Sequence, residues 1–269
     1  MGRTSPGRCG VTVADTSSAA SEILGVPVDA VTTGQALDIV DRAIRERSGL
    51  HIGVVNAAKL VNMRRDSELR ADVLSSDLIL ADGMAVVWAS RVLRRSLPER
   101  VTGIDLMLGI LGRGDARGYR VYCLGASDEV SRTVEQRIAE EFPGVRIVGR
   151  QHGYFTEEDE PGVAAAIKDS RPDVLLVAMT SPRKERFLAR WSRELEVPVT
   201  HGVGGSFDVF AGKVARAPKG WQRAGLEWLY RVLQEPRRLW RRYLVTNTLF
   251  CLMVAGELLR PRTARASRN

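Results

Sequence analysis

A single apolar segment, residues 173–179 with the sequence DVLLVAM, indicates how this chain folds. After its first residue it contains no polar side chain, which is typical of a strand buried on both faces in the middle of a parallel sheet. Similar short runs occur at 51–55, 119–124 and 197–203, and stretches with helical spacing such as 127–142 lie between them. Strands that alternate with helices predict an α/β fold with a Rossmann-like, mostly parallel sheet flanked by helices.

Polar residues follow two of the predicted strands, at the edge of the sheet where ligands of parallel sheets bind. Asp82 follows the strand 77–80 and precedes Gly83, so its carboxylate is a candidate general base. The alternative is that Asp82 caps the helix that follows. Asn56 ends another strand, and it is either a partner for a sugar hydroxyl or a turn residue bonded to its own backbone.

Two further loops are candidate binding segments. Gly204 and Gly205 follow the strand 197–203, where backbone N–H groups can hold an anion, but a tight turn explains the glycines equally well. Lys184 opens the helix after Pro182, so it either meets a phosphate or sugar or lies on a solvated helix face. No GxGxxG follows a predicted strand, so the chain lacks a dinucleotide fingerprint.

The basic charge of the chain is concentrated in its last fifth. The formal net charge is +8, and the 13 Lys/Arg and 3 Glu from residue 213 onward give that part +10, which leaves −2 for the rest. The first residues are small and polar. We therefore divide the chain into a disordered leader (1–22), an α/β domain (23–212), a helical membrane-proximal appendage (213–256) and a basic disordered tail (257–269). A basic appendage on a near-neutral body predicts an anionic partner.

The appendage is predicted to contain two helices, 221–233 and a second one that begins at Pro236 and runs to about 256. One apolar stripe is expected on the second helix, formed by Trp240, Tyr243, Leu244, Phe250, Cys251 and Val254. Five arginines accompany it, namely Arg231, Arg237, Arg238, Arg241 and Arg242. These arginines either clamp a diphosphate or lie on anionic lipid.

Composition excludes several classes of protein. With 44% hydrophobic and 27% charged residues, the chain is globular and not largely disordered. The three cysteines are widely spaced and the three histidines scattered, so we expect no disulfide scaffold and no metal site, and a reducing cytosol fits. The longest apolar stretch, 244–256, is shorter than the ~20 residues of a spanning helix, and residues 1–20 lack the apolar core of a signal peptide.

Seven blocks of sequence occur in an order that resembles one protein family. They are NAAK (56–59), ADGM (81–84), LPERVTGIDL (97–106), HGYF (152–155), GVGGSFD (202–208), GKVARAP (212–218) and GLEWLYRVLQEPRR (225–238). Together, over roughly residues 23–256, the chain resembles the WecG/TagA/CpsF family of bacterial glycosyltransferases, glycosyltransferase family 26. The resemblance implies a Rossmann-like core and a mobile C-terminal appendage that completes the site and contacts the membrane.

The same resemblance implies an inverting enzyme without an essential metal or other cofactor. It would move a sugar from a UDP-sugar to a sugar on a polyprenyl-diphosphate lipid, at the cytoplasmic face of the bacterial cell membrane, in cell-surface polysaccharide synthesis. Asp82 matches the proposed catalytic base. The positions that match the substrate pocket are Asn56, Arg100, Tyr154 and Asp208. The positions that match arginines proposed to meet the UDP diphosphate are Arg231, Arg238 and Arg241.

Two positions depart from the pattern of the teichoic-acid members of the family. Val54 stands where they have Thr, and Lys184 stands where they have Gln in Pro-Lys-Gln-Glu. Lys184 either suits an acidic donor sugar or pairs with Glu185. Two other functions are alternatives: a non-catalytic protein that binds a nucleotide sugar or lipid, and a nucleic-acid-binding protein that uses the basic appendage. No recognised nucleic-acid module accompanies the charge, so we expect no nucleic-acid partner. The apolar stripe also suits a homo-oligomer.

Overall fold

The computed structural model describes residues 20–259. Most of the predicted leader and residues 260–269 of the predicted tail lie outside this part of the chain. Residues 20–22, which the prediction assigned to the leader, instead belong to a strand, Ala20–Ile23. This strand pairs in antiparallel register with Val26–Asp29 to form a small two-stranded sheet. The α/β domain therefore begins three residues earlier than the sequence indicated.

The strands of the described residues are β1 (Ala20–Ile23), β2 (Val26–Asp29), β3 (Leu50–Val55), β4 (Leu78–Ala81), β5 (Arg120–Gly125), β6 (Arg146–Gln151), β7 (Val174–Ala178) and β8 (Val199–Gly202). Six of them form one sheet in the order β4-β3-β8-β7-β5-β6, and all of its neighbouring strands are parallel. The apolar segment that predicted the sheet is β7, which lies in its interior between β8 and β5. The predicted parallel α/β fold is confirmed.

Helices cover both faces of this sheet. In the α/β domain they are α1 (Thr33–Glu46), α2 (Ala57–Asn62), α3 (Ser67–Leu74), α4 (Met84–Val92), α5 (Gly103–Arg117), α6 (Asp128–Glu141), α7 (Glu160–Asp169), α8 (Arg183–Trp191) and α9 (Ser206–Phe210). Helices α1, α5, α6 and α9 share one continuous apolar cluster on one face. The other helices cover the opposite face, which makes three layers.

The opposite face of the sheet has two apolar clusters instead of one. The first lies under α2, α3 and α4, and the second lies under α7 and α8. Between them Lys59 of α2 meets Lys184 and Glu185 of α8, and all three side chains are buried. We call this group the charged seam. One member of the seam, Lys59, is among the charges that act on Asp82 at the end of β4.

The appendage contains three helices, α10 (Lys219–Arg223), α11 (Glu227–Gln234) and α12 (Pro236–Leu258). The prediction of a single helix over 221–233 is wrong, because the chain turns at Gly225. Gly225 has a φ of +69°, which favours glycine, and a Cβ there would lie 2.7 Å from the Cβ of Met84 and 2.7 Å from the Trp88 ring. The tight packing of the turn against α4 thus ends α10 and starts α11.

Helix α12 has an inner and an outer apolar face. Phe250 is only 5% exposed and packs with its neighbours on the cluster under α2, α3 and α4. Trp240 and Leu244 are 55% and 60% exposed on the outer face. The single stripe predicted from the sequence is therefore wrong, because its residues are divided between the two faces. Within residues 20–259, no helix is both long enough and apolar enough to cross a membrane.

Candidate active site

Asp82 lies immediately after β4, at the carboxyl edge of the sheet. Its backbone N–H donates to the carbonyl oxygen of Val55 at 2.8 Å, which fixes Asp82 beside the end of β3. The residue that caps α4 is Gly83, with a φ of +123°, and no side chain caps this helix. The alternative in which Asp82 caps α4 is wrong, so its half-buried carboxylate is free of that role.

Burial raises the pKa of Asp82 above its ordinary value. The nearby positive charges of Lys59, Arg231 and Arg100 act in the opposite direction, and the negative charge of Glu227 adds to the effect of burial. A carboxylate with a raised pKa is a better proton acceptor at neutral pH than an exposed one. The electrostatics of the site therefore suit Asp82 to take a proton from a hydroxyl group.

Asn56 caps helix α2 at the end of β3. Its Oδ1 accepts from the backbone N–H of Lys59 at 3.0 Å, as in the turn interpretation of this residue. That bond fixes the amide plane and occupies the side-chain oxygen as an acceptor. The amide N–H₂ group of Asn56 is therefore the part that can donate to a ligand. The local bond and a binding role are therefore compatible.

Lys184 is buried, so its interpretation as part of a solvated helix face is wrong. Its ammonium contacts the Oε1 of Glu185, and the same oxygen lies 2.7 Å from the Nζ of Lys59. Lys59 also donates to the carbonyl oxygen of Val54 at 2.7 Å, which ties the end of β3 to the seam. Burial and the charge of Lys59 lower the pKa of Lys184 to about 8. The seam holds two cations against one anion.

Arg100, on the segment that enters α5, is held by the appendage. Its Nη1 pairs with the Oε2 of Glu227, and its Nη2 lies 3.5 Å from the Oε1 of Gln222. Arg231 is four residues beyond Glu227 on α11, and its charge acts on Asp82. Asp82, Arg100 and Arg231, which were candidates from the sequence, thus lie within electrostatic range of one another, and Glu227 joins them.

A cleft opens beside this group, between the starts of α5 and α9 and the appendage. Ser206, Arg231 and Arg216 are among its lining residues. At Gly204 and Gly205, just before α9, a Cβ would meet no atom within 4 Å, so the backbone there is open to a ligand. The two arginines of the lining suit an anionic ligand.

The other predicted site residues lie on the loop after β6, on α9 and on α12. Tyr154 is 78% exposed in that loop, where the carbonyl oxygens of its neighbours Gly153 and Phe155 accept from Arg183 of α8. Asp208 lies on α9, where its carbonyl oxygen accepts from Val214 at 3.1 Å. Arg241 is exposed on α12. Arg238 lies on the same helix, but its side chain is outside the described residues.

Sequence reasoning missed two residues of the site, Glu227 and Lys59, and considered Glu185 only as a partner of Lys184. Glu227 stands four residues before Arg231 in the block 225–238, and that carboxylate–guanidinium spacing on one helix was a usable signal. Lys59 and Glu185 pair across 126 residues of chain, which no local pattern reveals. Among residues 20–259 there is no cluster of three or more His, Cys, Asp or Glu side chains that could hold a metal ion.

Fold and site together define an α/β protein in which cations and a half-buried carboxylate lie together at the carboxyl edge of a parallel sheet. Comparison with known proteins identifies the family. The chain matches the Glycosyl transferase WecG/TagA/CpsF family over residues 21–264. It is also 35% identical over 217 residues to the N-acetylglucosaminyldiphosphoundecaprenol N-acetyl-beta-D-mannosaminyltransferase of Bacillus spizizenii, covering 81% of this chain and 83% of that protein. The chain belongs to this family and is a glycosyltransferase.

Proposed function

We propose that the protein transfers a sugar, with inversion, from a UDP-sugar to a sugar carried on a polyprenyl diphosphate. The proposal rests on Asp82, whose half-buried carboxylate does not cap α4. This carboxylate lies among the positive charges of Lys59, Arg100 and Arg231. The relative from Bacillus spizizenii is named for the acceptor N-acetylglucosaminyldiphosphoundecaprenol. An N-acetylglucosaminyl diphosphate lipid is therefore the proposed acceptor for this chain too.

In the proposed reaction the acceptor hydroxyl oxygen attacks the anomeric carbon as Asp82 takes the hydroxyl proton. The bond from that carbon to the UDP oxygen breaks, and its electron pair leaves with UDP. Negative charge grows on the diphosphate, and Arg231 with Arg100 beside the cleft would stabilise it. Guanidinium groups thus take the role that a divalent metal has in other transferases, so we propose metal-independent transfer.

The donor sugar is proposed from the contacts of Lys184. Its ammonium is buried and paired with Glu185, as one of the two sequence interpretations had it. A cation held in this way is not available to a carboxylate on the donor, so the pairing favours a neutral donor sugar. The relative's name specifies N-acetylmannosamine, which is neutral and is the first donor to test.

The experiment offers a panel of UDP-sugars together with a short-chain polyprenyl-diphosphate N-acetylglucosamine and measures transfer. We expect one donor to react and Asp82→Asn to abolish transfer while UDP binding persists. Asp66→Asn is the matched control, because Asp66 caps α3 away from the site and Asn caps equally well. Near-normal turnover by the Asp82 variant would refute the assignment of the base. UDP binding without transfer from any donor would support the non-catalytic alternative.

We also propose that the outer face of α12 rests on an anionic membrane at the cytoplasmic side. Trp240, Leu244 and Leu252 are exposed there, and Arg237 and Arg242 are exposed on the same helix. Flotation with vesicles that contain anionic lipid should recover the protein, and Leu244→Asp should reduce recovery. Equal recovery of both proteins, or equal binding to neutral vesicles, would contradict this membrane role.

A further inference from the structure

Three ion pairs of the described residues join the appendage to the α/β domain. Arg216 pairs with Asp105 at 2.5 Å, and the other two pairs are alike in their residue types. At the site, Glu227 of α11 pairs with Arg100, and we call this pair the site clasp. At the other end, Glu257 of α12 pairs with Arg95, with the two atoms 3.2 Å apart, and we call this the distal clasp. Each clasp matches an appendage carboxylate to an arginine of the domain. They differ in that only the site clasp lies within electrostatic reach of Asp82.

We propose that Glu227 is a positioning residue, which seats α11 over the catalytic edge through Arg100 and so places Arg231 at the leaving diphosphate. The inference rests on the proposed function of Asp82 and Arg231. Glu227 and Arg231 are four residues apart on α11, so they share one face of that helix, one turn from each other. A contact that fixes Glu227 therefore also fixes the base of the Arg231 side chain.

The site clasp is partly shielded from water, so it contributes more to the position of α11 than an exposed ion pair would. The Arg100 side chain is 16% exposed and the Glu227 side chain 27%, in contrast to the open ion pairs of the protein surface. The Oε1 of Gln222 lies near the same guanidinium, and Gln222 Nε2 donates to the carbonyl oxygen of Ala217 at 2.7 Å. Arg100 thus holds both short helices of the appendage, α10 and α11.

Loss of the site clasp should loosen α11 without releasing α12. Helix α12 keeps its own anchors, which are Phe250 in the apolar cluster and the distal clasp. The effect of a Glu227 variant is therefore confined to the part of the appendage that faces Asp82. The same residue also influences Asp82 directly, because its charge is one of those that face this carboxylate.

Four charged groups face Asp82 from the elements around it. Lys59 comes from α2, Arg100 from the segment before α5, and Glu227 and Arg231 from α11. Glu227 raises the pKa of Asp82, and its removal also leaves the charge of Arg100 uncompensated. Both changes lower that pKa. The acid limb of the kcat/KM profile should therefore move to lower pH when Glu227 loses its charge, an effect that loss of packing alone does not produce.

The test compares Glu227→Gln with Glu257→Gln, which makes the same substitution at the distal clasp. For Glu227→Gln we expect faster amide hydrogen exchange in α11, weaker UDP binding and a loss of about ten- to a hundredfold in kcat/KM, since small misplacements have effects of that size. The acid limb should move to lower pH, and Glu227→Asp should restore part of the rate. For Glu257→Gln we expect faster exchange only near the end of α12 and an unmoved pH profile.

Unchanged exchange in α11, or an acid limb that stays in place, would overturn the proposal. Equal effects of the two substitutions would also overturn it, because they would show that both clasps act only as general contacts. Hydrogen exchange and UDP binding are measured without turnover. If no donor reacts but α11 loosens and UDP binds more weakly in Glu227→Gln alone, the positioning role stands and the proposed reaction fails.

Discussion

The charged seam makes opposite predictions for two neighbouring residues. In Glu185→Gln the ammonium groups of Lys59 and Lys184 stay buried without the carboxylate that now contacts both. Removal of one partner from a buried ion pair costs about 3–5 kcal/mol, because the remaining charge is uncompensated. Here two like charges remain, so we expect the upper part of that range. A domain of ordinary stability would lose a third or more of its free energy of unfolding.

In Lys184→Gln the seam keeps one cation and one anion, and the excess positive charge is removed. Lys59 still pairs with Glu185 at 2.7 Å and still donates to the carbonyl oxygen of Val54. Because burial lowers the pKa of Lys184, the folded protein disfavours its charged form, and an uncharged side chain at this position removes that cost. We therefore expect no loss at pH 7, and a gain on the order of 1 kcal/mol.

Urea unfolding at pH 7, followed by circular dichroism and tryptophan fluorescence, measures both variants. Glu68→Gln is the control, because Glu68 forms an exposed ion pair with Arg186, and its loss should change stability by less than about 1 kcal/mol. The reasoning is refuted if Glu185→Gln unfolds with a free energy close to that of the unchanged protein. It is equally refuted if Lys184→Gln loses as much stability as Glu185→Gln.

The pH dependence of stability tests the same cluster independently. Burial, followed by the charge of Lys59, lowers the pKa of Lys184 from 10.5 to about 8 in the folded protein. Between these pH values the unfolded chain keeps the proton that the folded chain has lost, so this group makes stability rise with pH. Below pH 8 Lys184 is charged in both states and its burial is fully unfavourable. The advantage of Lys184→Gln at pH 7 should therefore shrink as the pH approaches 10, and a constant difference in urea midpoints would contradict this.

Gly225→Ala should destabilise the turn between α10 and α11 by about 1 kcal/mol or more and increase proteolysis there, because the φ of +69° and the contact with α4 both oppose a side chain; unchanged cleavage would be inconsistent with that packing. Alkylation followed by mass spectrometry should label Cys251, which is exposed, and leave Cys123 intact, because burial raises the pKa of that thiol to about 12. Tyr119→Phe should reduce the free energy of unfolding by about 1 kcal/mol and so lower the melting temperature, because the Tyr119 hydroxyl donates to Asp41 at 2.6 Å. An unchanged melting temperature would show that this hydrogen bond does not stabilise the protein.

Features that depend on the local sequence pattern were predictable from the sequence. The apolar segment 173–179 forms an interior strand, because its side chains avoid water only where both faces of the sheet are covered. Asp82 was placed at the sheet edge because the strand before it and the helix after it both have clear local signals. The position of a residue along a strand or helix is a local property, and it was predicted correctly.

Residues that act through distant partners were not predictable in the same way. The pairing of Lys184 with Glu185 was one interpretation among several, and its burial was not predictable because Lys59, which contacts the same carboxylate, is far away in the chain. The helix predicted over 221–233 breaks at Gly225 because α4 packs against the turn. The prediction of a single apolar stripe on α12 was wrong, because a regular apolar spacing does not show which side of the helix packs against the α/β domain. Each error concerns a contact between elements, which spacing alone does not encode.

The strand order also affects how the chain is synthesised. Strand β8 is the last strand of the sheet in sequence, but it lies between β3 and β7 and joins a two-stranded half to a three-stranded half. Until β8 has left the ribosome, at ~5–20 residues per second, each half has an open inner edge that can pair with another nascent chain. Prematurely terminated chains that lack β8 would keep both edges exposed. The order of the strands, and not any individual residue, thus exposes nascent chains to edge-to-edge pairing until β8 is added.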